Sequence, residues 1–324
     1  MMKPLNRRPG LKVLVALGVL LALPAWSQTW PVRPIKLIVP QAAGSGNDVL
    51  ARTLAEQLGK GLGQSVVVEN RPGANGSVAA SYTVGQSADG YTLFLAGVSN
   101  LAWNPYLYQR LSYNPARDFA GVAVFANTQF VTLASPTLQV RSFAELVKKA
   151  KEAPGQISYA SAGIGNSTHL SMELVAERSG MKLQHVPFNG AGATTSLMAG
   201  DTPVMTTVPG GITELVRTGK LVALAVTGDK RMDAFPNVPT FKELGYDVAV
   251  PGWYSIVAKT GTPPAIVQRL NTEINKAIQT PEVRERLAAQ TLEPISAPAS
   301  EVERLMQRDA AAWGPFIKKL DIAQ

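Results

Sequence analysis

Two glycine-rich segments hold the residues best suited to chemistry: Ala42-Ala43-Gly44-Ser45-Gly46-Asn47-Asp48, and Ala160-Ser161-Ala162-Gly163-Ile164-Gly165-Asn166-Ser167-Thr168-His169. Each joins the end of a short apolar run to the start of a helical pattern. Unpaired backbone N–H groups at a helix start favour anions, and glycine lets an anion approach the backbone closely. Either segment alone also reads as a capped tight turn, with Asn47, Ser167 or Thr168 closing the helix end. The pairing of two such loops points to a pincer for one small anion. His169 falls in the first turn of its helix, where a neutral ring can donate one hydrogen bond to an anion or simply cap the turn. His185, beside the strand residue Val186, reads as structural. Asp48 either accepts a hydrogen bond from a ligand or answers the helix dipole. Tyr159, Trp103 and Trp253 read more readily as core than as pocket walls.

Enzyme signatures do not occur. There is no G-x-S-x-G elbow, no phosphate-binding G-x-x-x-x-G-K-[ST], and no H-E-x-x-H; Gly163-Ile164-Gly165 starts a dinucleotide fingerprint but lacks its third glycine. A hydrolase using His169 with Ser161 stays open as an alternative, without a local signature. Zero cysteines exclude thiol nucleophiles, thiolate metal sites and a lipid-modified N-terminal cysteine, and two histidines make an all-imidazole metal site improbable. Neither enzymatic activity nor a cofactor or metal is expected.

The elements that must carry the loops are legible from periodicity. Ile35–Val39 is a β-branched run closed by Pro40, and Leu50, Leu54 and Leu58 with Ala51, Ala55 and Leu62 form one apolar helix face after it. Val66–Val68 is a second strand, a small-residue helix starts near Ser77, and Tyr91–Leu95 is a third strand. Strands at Phe130–Leu133, Ile157–Ala160, His185–Val186, Val204–Met205 and Val222–Val226 alternate with helices from Ser142, from about Ser167 and through Leu197. Capping boxes are expected at Ser142–Glu145 and Ser300–Glu303, and Thr262-Pro263 is expected as N-cap and first turn of a helix with Ile266, Leu270, Ile274 and Ile278 inward. Such alternation predicts an α/β protein of two lobes, each a mainly parallel sheet flanked by helices. The chain is expected to cross between lobes near Val122–Asn127 and Val222–Gly228. Lobe 1 is then 28–125 plus 226–324, and lobe 2 is 126–225.

The 324 residues carry a formal charge of +8, which first points toward polyanions. Four of those charges, Lys3, Arg7, Arg8 and Lys12, precede Gln28, leaving +4 from there onward. Lys148, Lys149 and Lys151 are one solvated helix face, so no nucleic-acid partner is expected. Residues 1–27 have a basic start, an apolar run of eleven residues from Val13 to Leu23, and small residues at Ala25 and Ser27. That is the pattern of a secretory signal peptide cleaved before Gln28, the run being too short for the roughly 20 residues that span a bilayer.

Ordered segments over essentially the whole exported chain add a further reading. Trp30-Pro-Val-Arg-Pro-Ile-Lys-Leu-Ile-Val-Pro40, Val68-Glu-Asn-Arg-Pro-Gly-Ala-Asn-Gly76, Asp89-Gly-Tyr-Thr-Leu93, Tyr159 to His169 and Val186-Pro-Phe-Asn-Gly190 resemble the periplasmic solute receptors of tripartite tricarboxylate transporters, the Bug or TctC-type binding proteins. The resemblance implies a two-lobed periplasmic binding protein fold of type II kind that closes on a carboxylate. Carried over by position, one jaw is Ala43, Gly44, Ser45, Asn47 and Asp48. The other is Gly163, Gly165, Asn166, Ser167, Thr168 and His169, with Ser99 and Asn100 lining the cleft. It implies a monomer in the periplasm that hands a small carboxylate to integral-membrane transporter subunits; a receptor feeding a membrane sensor predicts the same fold. Three departures bear on the ligand's side chain. Gln41 stands where the family commonly has an aromatic, which would favour a more polar ligand; Gly44-Ser45 replaces Gly-Gly; and Ala199-Gly-Asp-Thr-Pro203 lacks the family's aspartate.

Overall fold

The computed structural model describes residues 29–188 and 192–322, so the signal-peptide reading of 1–27 lies outside the described residues. Eleven strands are described: β1 (Ile35–Val39), β2 (Val66–Asn70), β3 (Thr92–Gly97), β4 (Phe119–Asn127), β5 (Val131–Ala134), β6 (Ser158–Ser161), β7 (Gln184–Pro187), β8 (Val204–Thr207), β9 (Val222–Val226), β10 (Trp253–Lys259) and β11 (Glu293–Pro294). The helices are α1 (Gly46–Leu62), α2 (Ser77–Val84), α3 (Asn104–Leu107), α4 (Pro115–Asp118), α5 (Phe143–Glu152), α6 (Ser167–Ser179), α7 (Gly192–Ala199), α8 (Thr213–Arg217), α9 (Pro264–Ala277), α10 (Pro281–Ala289) and α11 (Ser300–Lys319).

The strands form two sheets, a six-stranded one in the order β11-β4-β10-β3-β1-β2 and a five-stranded one in the order β7-β6-β8-β5-β9. Strand β1 lies between β2 and β3 in the first and pairs in parallel with both. Its Ile35, Leu37 and Val39 meet Leu50, Leu54 and Leu58 of α1, Leu270 and Ile274 of α9, and Leu287 of α10 on one face. Ile38 points to the other face, with Phe94, Ala79 of α2 and Trp313 of α11. Burial on both faces fits a run apolar at every position but Lys36, which is exposed; a strictly alternating run would not allow it.

Both sheets are mixed and not mainly parallel. β10 runs antiparallel to β3 and β4, and β5 antiparallel to β8 and β9. The reason is the chain path: β4 leads out of the first sheet into β5, and β10 brings the chain back, so these strands run against their neighbours. At the crossing, Thr128 N–H donates to Gly252 O at 2.6 Å. The chain leaves the first sheet after β4. The return lies after Thr240 and not at Val222–Gly228, because Val226 bridges Thr240 in parallel and Met232, Phe235 and Val238 pack on the second sheet.

Local signals were met unevenly. Ser142 Oγ accepts the Glu145 N–H at 3.2 Å, as a capping residue should. Glu145 takes the N–H of Arg141 instead of completing the box. The box expected at Ser300 does not form, since Ser300 is already helical behind Ala299 and Glu303 instead accepts the Gly121 N–H of β4 at 2.8 Å. The helix after Thr262 begins at Pro264, one residue late, with the Thr262 hydroxyl turned back to Lys259 O. No helix among the described residues is long and apolar enough to cross a membrane.

Candidate functional site

Both glycine-rich loops leave the carboxyl ends of parallel strands, β1 in the first sheet and β6 in the second, where open α/β sheets bind ligands. The first loop is locked by Asp48. Its buried carboxylate accepts the Gly44 N–H (2.9 Å), Arg52 Nε (3.0 Å) and Asn70 Nδ2 (2.8 Å). Burial pushes the Asp48 carboxyl up, but Arg52, Gly44 and Asn70 together outweigh it and hold it below the usual aspartate range. Asp48 is therefore occupied in shaping the loop, and Gly44, with φ of 80°, has spent its N–H on it. Ser45 is the N-cap of α1, its Oγ accepting the Asp48 N–H at 3.2 Å. Asn47 is half-buried and hydrogen-bonded through its side chain to Tyr254. The N–H groups of Ala43, Gly46 and Asn47 meet no acceptor among the described residues.

The second loop uses more of its own donors. Asn166 caps α6, its Oδ1 accepting from the Thr168 N–H (3.0 Å) and hydroxyl (3.2 Å), and Thr168 Oγ1 accepts the Ala162 N–H (2.8 Å). Gly163 N–H reaches Ser161 Oγ at 3.2 Å, and Gly165 N–H donates to His169 Nδ1 at 3.0 Å. The N–H groups of Ser167 and His169 meet no acceptor among the described residues. The loop is preformed, and glycines at φ of 123° (Gly163) and 71° (Gly165) make its shape attainable.

His169 is not aimed outward. It is 2% exposed and stacks on His185 with ring centroids 3.8 Å apart, and His185 stacks in turn on Tyr159 at 4.9 Å. Burial, then the neighbouring His185, pulls the His169 pKa down to about 3, and burial takes His185 down to about 4. Both rings are neutral, so the 3.7 Å approach of His169 Nε2 to Glu173 Oε1 is not an ion pair. Glu173 accepts the Tyr159 hydroxyl, and its carboxyl is raised by burial. His185, read from sequence as structural, holds Ser161 Oγ at 2.6 Å. The Ser161–His169 pairing weighed as a hydrolase does not form: Ser161 is fully buried and its partner is His185. Tyr159, Trp103 and Trp253 are core residues, at 0%, 0% and 3% exposure.

Of the third-strand pair, Ser99 is half-buried at the start of a short π-turn. Asn100 is buried and spends its side chain internally, taking the Gly97 N–H at 3.1 Å and donating to Asn75 O at 2.9 Å. Gln41 leaves β1 with its carbonyl held by Asn70 Nδ2 at 3.0 Å and its amide oxygen buried without a partner.

Each loop touches a residue outside it, in contacts that join the halves. Asn75 Nδ2, from the first half, donates to Gly165 O at 3.3 Å, and a Cβ on Gly165 would lie 2.8 Å from Leu107 Cδ1. Gln290 Nε2 donates to Gly46 O at 2.6 Å, while a Cβ on Gly210 of the second half would sit 3.3 Å from Gln290 O. Asn75 and Gln290 were not singled out from the sequence. The Asn75-Gly76 pair ahead of a helix was a signal for left-handed backbone; Gln290 left none. A separate cavity of about 920 Å³ lies beside the crossing strands, lined by Gln129, Tyr246, Trp253 and Arg308 among others, away from both loops. Its position follows from the splayed chain crossing, and the loops carry the stronger chemistry. No group of His, Asp or Glu among the described residues could hold a metal ion.

Comparison with known proteins identifies the family of the chain. The family model described as tripartite tricarboxylate transporter family receptor matches residues 50–322. Protein BugT of Bordetella pertussis is 34% identical over 317 residues, covering 95% of this chain and 97% of BugT. The R. palustris protein Rpa4515, solved with adipate, superposes with a TM-score of 0.82 at 31% identity, covering 90% of this chain and 97% of that one. MatC from Rhodopseudomonas palustris, solved with bound malate, gives 0.81 at 28% identity, covering 89% and 100%. The family match begins inside α1 and runs through the last helix, so the chain belongs to the tripartite tricarboxylate transporter receptor family, a family of solute-binding proteins and not of enzymes.

Proposed function

We propose that the protein captures one small carboxylate between the loops 42–48 and 162–169, closes on it, and delivers it in the periplasm to the membrane subunits of a tripartite transporter. The observation that carries this reading is the pair of preformed helix starts, one from each sheet, whose N–H groups at Ala43, Gly46 and Asn47 and at Ser167 and His169 stay free of acceptors among the described residues. Relatives that were solved with adipate and malate support a dicarboxylate scale for the ligand. In this reading His169 and Asp48 shape the jaws without touching the carboxylate. Ser45, Asn166 and Thr168 act the same way, as caps. Lobe 2 then runs from about residue 128 to about 252, and these two crossings are the hinge. Gln41, with its unpartnered amide oxygen, favours an acid that carries a hydroxyl or amino donor.

A thermal-shift series with mono-, di- and tricarboxylates tests the reading. A carboxylate present at 100 times its Kd is expected to add about 2.7 kcal/mol of stability. A series in which no carboxylate raises the melting temperature of protein refolded free of ligand would sink it.

A further inference from the structure

The turn between β2 and α2 holds two consecutive non-glycine residues in left-handed backbone, Ala74 at φ 44° and Asn75 at φ 48°. L residues resist this region, and such strain persists only where the surroundings impose it. A buried amide network does so here. Asn75 O accepts Nδ2 of Asn100 at 2.9 Å and of Asn104 at 3.2 Å. Asn104, fully buried, is fixed by the Tyr113 hydroxyl at 3.0 Å, which donates onward to Asn100 O at 2.7 Å. The next residue must be glycine, since a Cβ on Gly76 would lie 2.2 Å from Asn100 Nδ2.

All of this bracing aims one side chain. Asn75 Nδ2 donates to Asn104 Oδ1 at 2.9 Å and to Gly165 O of the opposing loop at 3.3 Å. Gly165 is also held from behind, its N–H on His169 Nδ1. A strained, fully braced residue in one half therefore ends on the backbone of the loop in the other.

We propose that Asn75 is a positioning residue for ligand capture: a latch between the lobes that stabilises the closed state and slows ligand release without touching the ligand. The proposal rests on reading the two loops as the jaws. A bond made in the closed state and absent from the open one biases that equilibrium by its full differential worth. Its loss raises the dissociation rate and does not slow association.

The test uses Asn75→Asp and Asn75→Gly. Aspartate tolerates the left-handed backbone but has no donor, so its carboxylate oxygens face Asn104 Oδ1 and the Gly165 carbonyl. Glycine relieves the strain and removes the donor. Because the chain has no cysteine, Lys60→Cys and Lys220→Cys on the two halves can carry spin labels that report lobe separation without ligand. Both variants are expected to lengthen that separation, and malate or adipate, whichever the wild type binds, should dissociate about three- to tenfold faster, the range set by one hydrogen bond. A lowered melting temperature with unchanged separation and unchanged release would assign the network a structural role only and overturn the latch. Should neither acid bind the wild type, the carboxylate reading is what suffers, and the label distances still decide the latch.

Discussion

Lowering the pH from 7 to about 4 is expected to remove stability on the order of 6 kcal/mol through the two stacked histidines, less what Glu173 returns. The unfolded rings titrate near 6.5, whereas in the folded protein burial holds His185 at about 4 and, with His185 beside it, His169 at about 3. Between those values the unfolded chain binds more protons than the folded one, so stability falls as the solution becomes more acid. Glu173, the carboxyl facing the stack, works in the opposite sense: its raised pKa lets the folded state take a proton first, which softens the upper part of the decline. Denaturant titrations at pH 7.5, 6, 5 and 4 read the effect. His185→Gln keeps a polar partner for Ser161 and removes one titrating ring, so its acid limb should be shallower. An acid limb as steep as that of the wild type would locate the sensitivity elsewhere.

Replacing Asp48 by alanine is expected to cost about 3 kcal/mol, within the range for breaking a buried charged network from one side, with Arg52 half-exposed and so able to find water. The change strands the Gly44 N–H and the Asn70 amide, which also supports Gln41 O. The loss should appear in ligand-free protein, because Asp48 is spent on the loop and not on a ligand. Asp48→Asn keeps the volume but turns one acceptor into a donor facing donors, and should lose somewhat less. In the wild type the Asp48 contribution is present above the ordinary aspartate pKa of 3.8 and lost only as pH falls through its lower folded value, so it lies below the histidine window. Equilibrium unfolding of the two variants at pH 7 measures it; losses under 1 kcal/mol would show that the loop holds without its anchor.

How far the sequence foretold this arrangement depends on which physical signal each residue left. Helical spacing at Leu50, Leu54 and Leu58 and the run Ile35–Val39, apolar but for Lys36, announce α1 and β1, because burial is written into residue type. Strand direction is not: β10 and β4 are buried on both faces and show the same apolar run whether they lie parallel or antiparallel. Residues 228–241 carry no periodicity, yet Val226 bridging to Thr240 and the packing of Met232, Phe235 and Val238 tie them to the second sheet. At the loops, residue types located the helix starts and caps, but which N–H each side chain consumes is a tertiary fact. His169 turned inward onto His185, sixteen residues away, a partnership no spacing rule encodes.

One apolar cluster runs from Ile38 and Phe94 beneath the first sheet, through Trp103 and Trp313, to Phe130, Leu146, Tyr159 and Leu170 around the second. Neither sheet can lose its packing without exposing part of the other's. The chain should therefore behave as a single calorimetric unit, its measured heat of melting equal to the van't Hoff value. An acid held at the loops would then also guard distant segments such as α5 and α11 against proteases, since opening any of them by global unfolding first requires its release.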